Sequence, residues 1–79
     1  MDKTEITASL YEIFEDFFEL EEDEFSSELT ADQVDGWDSL NHVRLMLAVE
    51  QKFGVKFSIG ELSNLKNVGD LIALIERKA

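Results

Sequence analysis

Apolar residues recur along this chain at helical spacing in four places, with polar stretches between them. The first run spans about Thr4 to Phe18. Ile6, Leu10, Ile13, Phe14 and Phe17 follow at steps of four, three, one and three, which draws a single stripe on an amphipathic helix. Thr4 suits its cap, and Glu5, Glu12, Glu15, Asp16 and Glu19 fall on the outer face. The second run spans about Ser39 to Phe53. Leu40, Val43, Leu47 and Phe53 mark one face, and Leu45, Met46 and Val49 broaden it, as expected of a helix touched on more than one side. Asp38 or Ser39 caps its start, and Gly54 ends it.

Ser58-Ile59-Gly60-Glu61 has serine at a cap and glutamate three positions later, which predicts a short third helix to about Asn64 carrying Ile59 and Leu62. Asn67 opens a fourth helix in a similar way. Val68, Leu71, Ile72 and Ile75 form its stripe, and Arg77 and Lys78 complement its C-terminal dipole. Between the first two helices lies a connection from about Glu19 to Asp38. Its block Glu21-Glu22-Asp23-Glu24 does not propagate a helix cheaply, whereas Phe25, Leu29 and Val34 pin the connection onto the helices. The expected fold class is all-α: a small four-helix bundle with a long loop between helices one and two, forming one domain over residues 1–79.

Composition narrows the function. The chain has 79 residues, no cysteine and no proline, so neither a disulfide framework nor a thiolate metal site supports its small core. An apolar share of 44%, with six phenylalanines, argues against disorder. No apolar run approaches the roughly 20 residues that span a bilayer, and Met1-Asp2-Lys3-Thr4-Glu5 lacks a signal-peptide pattern, so a cytoplasmic, monomeric protein is expected. The formal charge of −11 repels nucleic acid and anionic lipid and favours basic partners. That charge is lopsided: residues 1–38 hold fourteen acids and one base, residues 39–79 four acids and six bases. The acid block lacks the alternating ligands and central glycine of an EF-hand, so it reads as a solvated loop that attracts cations loosely.

The chemistry-bearing segment is Gly36-Trp37-Asp38-Ser39-Leu40, which sets a serine hydroxyl at the mouth of the second helix. Its plain structural role would be an N-cap. A hydrolase nucleophile needs a base and an orienter. The one histidine, His42, lies three residues on, and no Gly-x-Ser-x-Gly elbow is present. His42 reads better as an exposed recognition residue or one partly covered by the loop. Trp37 reads as an anchor of the long loop on the second helix. A serine at a helix mouth projects outward, and the chain offers no base that clearly serves it, so Ser39 is better suited to being modified than to attacking a substrate.

With Asp-Ser-Leu at residues 38–40, an acidic lead-in, and helices in this order and of these lengths, nearly the whole chain resembles an acyl carrier protein. The resemblance implies a 4'-phosphopantetheine arm on Ser39, installed from coenzyme A by a phosphopantetheinyl transferase, with Asp38 helping that enzyme's recognition. It implies acyl or aminoacyl cargo held as a thioester, attached by a loading enzyme and passed to synthase or transferase enzymes of a fatty-acid, polyketide or other specialised pathway. The carrier itself would catalyse nothing. In such proteins the space between the second and third helices can open to shelter an acyl chain. Val43, Leu47, Ile59, Leu62 and Ile72 would then be plain core or lining of that space. Two features depart from general fatty-acid carriers: Trp37 before Asp-Ser-Leu, and a second helix whose charges balance, with Asn41, His42 and Arg44 after Leu40. The tryptophan resembles carriers of dedicated pathways, and the balanced helix argues against recognition by general fatty-acid enzymes. The rival from another class is an acidic helical adaptor that binds a basic protein without a cofactor.

Overall fold

The structure, a computed structural model, describes residues 2–78. In chain order it holds α1 (Lys3–Phe18), a 3-10 turn at Glu22–Glu24, a second at Ala31–Gln33, α2 (Ser39–Phe53), α3 (Ile59–Ser63) and α4 (Val68–Lys78), with no strand among the described residues. The expected all-α bundle is what forms, and α1 packs against both α2 and α4.

Ile6, Leu10, Ile13 and Phe14 are buried as the stripe on α1 predicts. Two details differ. Asp2, not Thr4, caps the helix: its carboxylate accepts the Glu5 amide at 2.9 Å, which puts Thr4 inside the first turn. Phe17 is 38% exposed, whereas Phe18 is half-buried. Phe17 lies in the last turn, where the chain leaves through Glu19, and the packing partner at this end is Trp37, which stacks on Phe18 at 5.9 Å. Glu19 closes α1 in the left-handed region at φ 55°, donating its amide to Glu15.

The two apolar sectors of α2 are sorted the other way round from the sequence reading. Leu45, Met46 and Val49 enter the core, while Leu40, Val43 and Leu47 are 62%, 53% and 54% exposed. At 100° per residue the two sets lie on nearly opposite sides of the helix. Only the first set faces α1 and the core. Phe53 is half-buried against the core's edge.

The long connection is tied down at several points. Leu20, Leu29 and Val34 are buried, and Phe25 packs on Tyr11 and Phe14 at ring separations of 5.5 and 5.2 Å. The Tyr11 hydroxyl donates to the Leu20 carbonyl at 3.1 Å. At its far end, the Leu29 and Ser27 carbonyls accept the Val68 and Gly69 amides at 2.9 and 2.8 Å. These are first-turn donors of α4, which have no partner within their own helix. The Asn67 side chain accepts a third, from Asp70, at 2.8 Å. A Cβ on Gly69 would come within 3.0 Å of the Ser27 carbonyl oxygen, so glycine is what allows this close approach.

The capping box expected for α3 is present, with Ser58 accepting the Glu61 amide and Glu61 accepting the Ser58 amide. Glu61 also pairs with Lys78 of α4 at 3.0 Å. These contacts hold the Glu61 carboxyl below the usual glutamate range, the Ser58 backbone bond contributing most.

Candidate attachment site

The site is built on the turn that feeds α2. Gly36 adopts φ 89°, a conformation that glycine takes without strain. The Asn41 side chain donates to the Gly36 carbonyl at 2.6 Å and clasps the turn from inside the first turn of α2. Asp38 is the cap: its carboxylate accepts the Asn41 amide at 2.9 Å, and its carbonyl accepts the His42 amide at 2.8 Å. Of the two residues the sequence offered for this duty, Asp38 takes it. Ser39 is the first helical residue and is exposed, with its hydroxyl not used as the cap.

Trp37 anchors the loop to two helices rather than one. Its ring meets Phe14 edge-on at 5.2 Å and stacks on Phe18, both of α1. Its indole N–H donates to Nδ1 of His42, in α2, at 2.9 Å. The two ring planes are nearly parallel, at 18°. His42 is half-buried, and burial lowers its pKa from the ordinary histidine value. With Nδ1 accepting from Trp37, the neutral ring carries its proton on Nε2. Both of its nitrogens are then unavailable as acceptors for a serine proton, so in this tautomer His42 is no general base for Ser39.

A shallow depression of about 420 Å³ lies beside the serine, lined by Ala31, Trp37, Asp38, Ser39 and His42. The residue set suits a covalently held phosphate arm: an exposed hydroxyl, a helix N-terminus beneath it, and an open apolar wall next to it. Further out, Leu40, Val43 and Leu47 form an exposed stripe along α2, and Ile59 at the start of α3 is 84% exposed. Of the five residues expected in the core or around a sheltered chain, Ile72 is buried and Leu62 half-buried, while Val43, Leu47 and Ile59 face solvent. Sequence reasoning missed the Asn41 clasp and the Trp37–His42 bond. The only sign of either was a polar side chain five residues after its partner.

In the acidic connection, carboxylate oxygens of Glu21, Asp23 and Glu24 lie within 4.8 Å of one another, all exposed. Glu24 spends one contact on the Glu21 amide at 3.1 Å.

Comparison with known proteins agrees with this geometry. Residues 8–75 match the family described as the phosphopantetheine attachment site. An acyl carrier protein of Coprothermobacter proteolyticus is 37% identical over 76 residues, covering 96% of this chain and 93% of that protein. The meromycolate extension acyl carrier protein of Mycolicibacterium smegmatis is 38% identical over 74 residues, covering 92% of this chain and 74% of that protein. The solution structure of a holo acyl carrier protein from Geobacter metallireducens matches with a TM-score of 0.83 at 38% identity, covering 92% of this chain and 84% of its own.

Proposed function

Because the chain belongs to the phosphopantetheine-attachment family of acyl carrier proteins, we propose that Ser39 is the residue that bears its 4'-phosphopantetheine group. The chain functions as an acyl carrier. The observation that supports Ser39 is the division of labour at the head of α2: Asp38 caps the helix, which leaves the neighbouring serine hydroxyl exposed and unengaged as a cap. A transferase joins the Ser39 oxygen to the phosphopantetheinyl phosphorus of coenzyme A. The diphosphate bond breaks, and the adenosine bisphosphate and the serine proton leave. When bound, the group supplies a terminal thiol on which cargo rides as a thioester.

This chain's own residues hold and present that attachment point. Gly36 and Asn41 fix the turn, Asp38 starts the helix beneath the serine, and Trp37 ties the turn to α1 and α2. The domain acts as a single carrier unit and catalyses nothing itself. A tethered substrate reaches each docked active site at high local concentration, which is the carrier's contribution. Nothing in the fold or the comparisons supports the rival adaptor without a cofactor.

Its partners are a phosphopantetheinyl transferase, a loading enzyme and the acyl-handling enzymes downstream, met as a monomer in the cytoplasm. Among the described residues no helix is long and apolar enough to cross a membrane. Partners that reach Ser39 meet the exposed stripe Leu40, Val43 and Leu47, flanked by Asn41 and Arg44 and not by a run of acids. Such a surface favours apolar docking over attraction to a basic patch, the preference of a dedicated pathway. Incubation with coenzyme A and a broad-specificity transferase tests the assignment: wild type gains one arm by intact mass, and Ser39→Ala gains none while staying helical. An arm accepted by Ser39→Ala would overturn it.

A further inference from the structure

The depression beside Ser39 has an apolar wall and a lining side chain that can donate a hydrogen bond, and neither is needed merely to expose a serine. Ala31 and Trp37 supply the wall. The donor is His42. Its Nδ1 is occupied by the Trp37 indole, which fixes both the plane of the ring and its tautomer, so Nε2 bears the hydrogen. Among the described residues no buried side-chain nitrogen or oxygen lacks a partner, and Nε2 has no protein partner, so this N–H opens to solvent. His42 stands three residues beyond Ser39, on the same side of α2 one turn later, and lines the same depression.

Resting on the assignment of Ser39 as the attachment residue, we propose that this depression is a docking site for the proximal part of the phosphopantetheine arm. The branched dimethyl group next to the phosphodiester lies on Ala31 and the Trp37 ring, and the His42 Nε2–H donates to a phosphodiester oxygen. The occupant is set by continuity: the arm begins at Ser39, which itself lines the depression, and its first groups are an anion followed by a compact branched hydrocarbon. A wall of one methyl and an indole ring beside an N–H donor matches that order. The consequence is an arm held against the carrier at its root while its thiol end stays free. Trp37 and His42 are then positioning residues for the arm as well as anchors of the loop.

The test compares apo and holo protein, with intact mass first showing that the arm is on. Trp37 is the only tryptophan and reports directly. In the holo form, acrylamide quenching of Trp37 falls, and nuclear Overhauser effects link the geminal methyls of the arm to the Ala31 methyl and the indole ring. The His42 titration midpoint rises by about half a pH unit, the size that a solvent-exposed pair of opposite charges produces. The charged groups that share a cavity lining with the ring are Asp38 in this depression and Lys66, of the α3–α4 connection, in a smaller cavity that His42 also lines; both are present in apo and holo forms, so the comparison isolates the phosphate. Ala31→Glu places a carboxylate on an exposed wall position and removes the Overhauser effects while leaving the mass gain. An arm present on Ser39 with no Overhauser effect to Ala31 or Trp37, and quenching and His42 midpoint equal to those of the apo form, overturns this docking site alone. A protein that takes no arm at Ser39 overturns the attachment assignment and the docking site with it.

Discussion

The Trp37 indole N–H and His42 Nδ1 meet at 2.9 Å, joining the acidic connection to α2 one turn from Ser39. The bond requires a neutral imidazole, because protonation would turn its acceptor into a second donor facing the indole. Burial already lowers the His42 pKa. The unfolded chain, with an ordinary histidine, therefore binds the proton first as pH falls. Stability from neutral His42 is complete above the ordinary histidine value and is lost as pH drops through the lower folded value. His42 should titrate below the free-histidine midpoint by NMR, and Trp37→Phe should raise that midpoint and cost about 1 kcal/mol in denaturant unfolding. A midpoint in the apo protein at or above that of free histidine would refute the coupling.

The two faces of α2 should respond in opposite ways. Leu45→Ala removes a fully buried side chain and should cost about 2–5 kcal/mol. Val43→Ser and Leu47→Ser change exposed positions and should move stability by less than about 0.5 kcal/mol. Those same two changes should slow turnover of the loaded carrier by its partner enzyme. Loss of stability from the exposed pair equal to that from Leu45 would contradict the observed burial.

This helix also shows where the sequence stopped being informative. Its span, Ser39–Phe53, and its glycine stop were legible because caps and periodicity are local. Which of two opposed apolar stripes turns inward is decided by α1, which periodicity within α2 cannot report. The same limit explains Thr4 and Asp2: both are competent caps, and the choice depends on where the first turn begins. Around the turn, the exposed place of Ser39 at the mouth of α2, the turn glycine and the anchoring role of Trp37 were readable. The Trp37–His42 and Asn41–Gly36 bonds were not, because they depend on how the turn folds back over the helix.

Glu19 is held left-handed at φ 55° to end α1, a conformation that costs a non-glycine residue about 1 kcal/mol. Glu19→Gly should therefore raise stability by up to that amount. Glu19→Ala removes the same charge but keeps the strain, so it separates the two causes. Equal gains from both variants would assign the effect to charge alone.

Residues 12–24 hold eight acids and no base, and three of those carboxylates crowd within 4.8 Å. Like-charge repulsion on so small a core should be relieved by counterions. The melting temperature should rise with added salt and with millimolar magnesium or calcium, and Glu22→Gln with Asp23→Asn should blunt the response. A melting temperature indifferent to both additions would show the repulsion to be negligible.

The attachment residue is tested most directly by locating the arm in the sequence. The chain offers six serines, of which Ser26 and Ser27 are also exposed and lie in the same loop region. Wild-type protein treated with coenzyme A and a phosphopantetheinyl transferase should be digested and its peptides fragmented by mass spectrometry. The expected result is a single phosphopantetheinyl group, carried by Ser39 and by no other serine. An arm mapped to any other residue, or no arm after several transferases, would contradict the assignment.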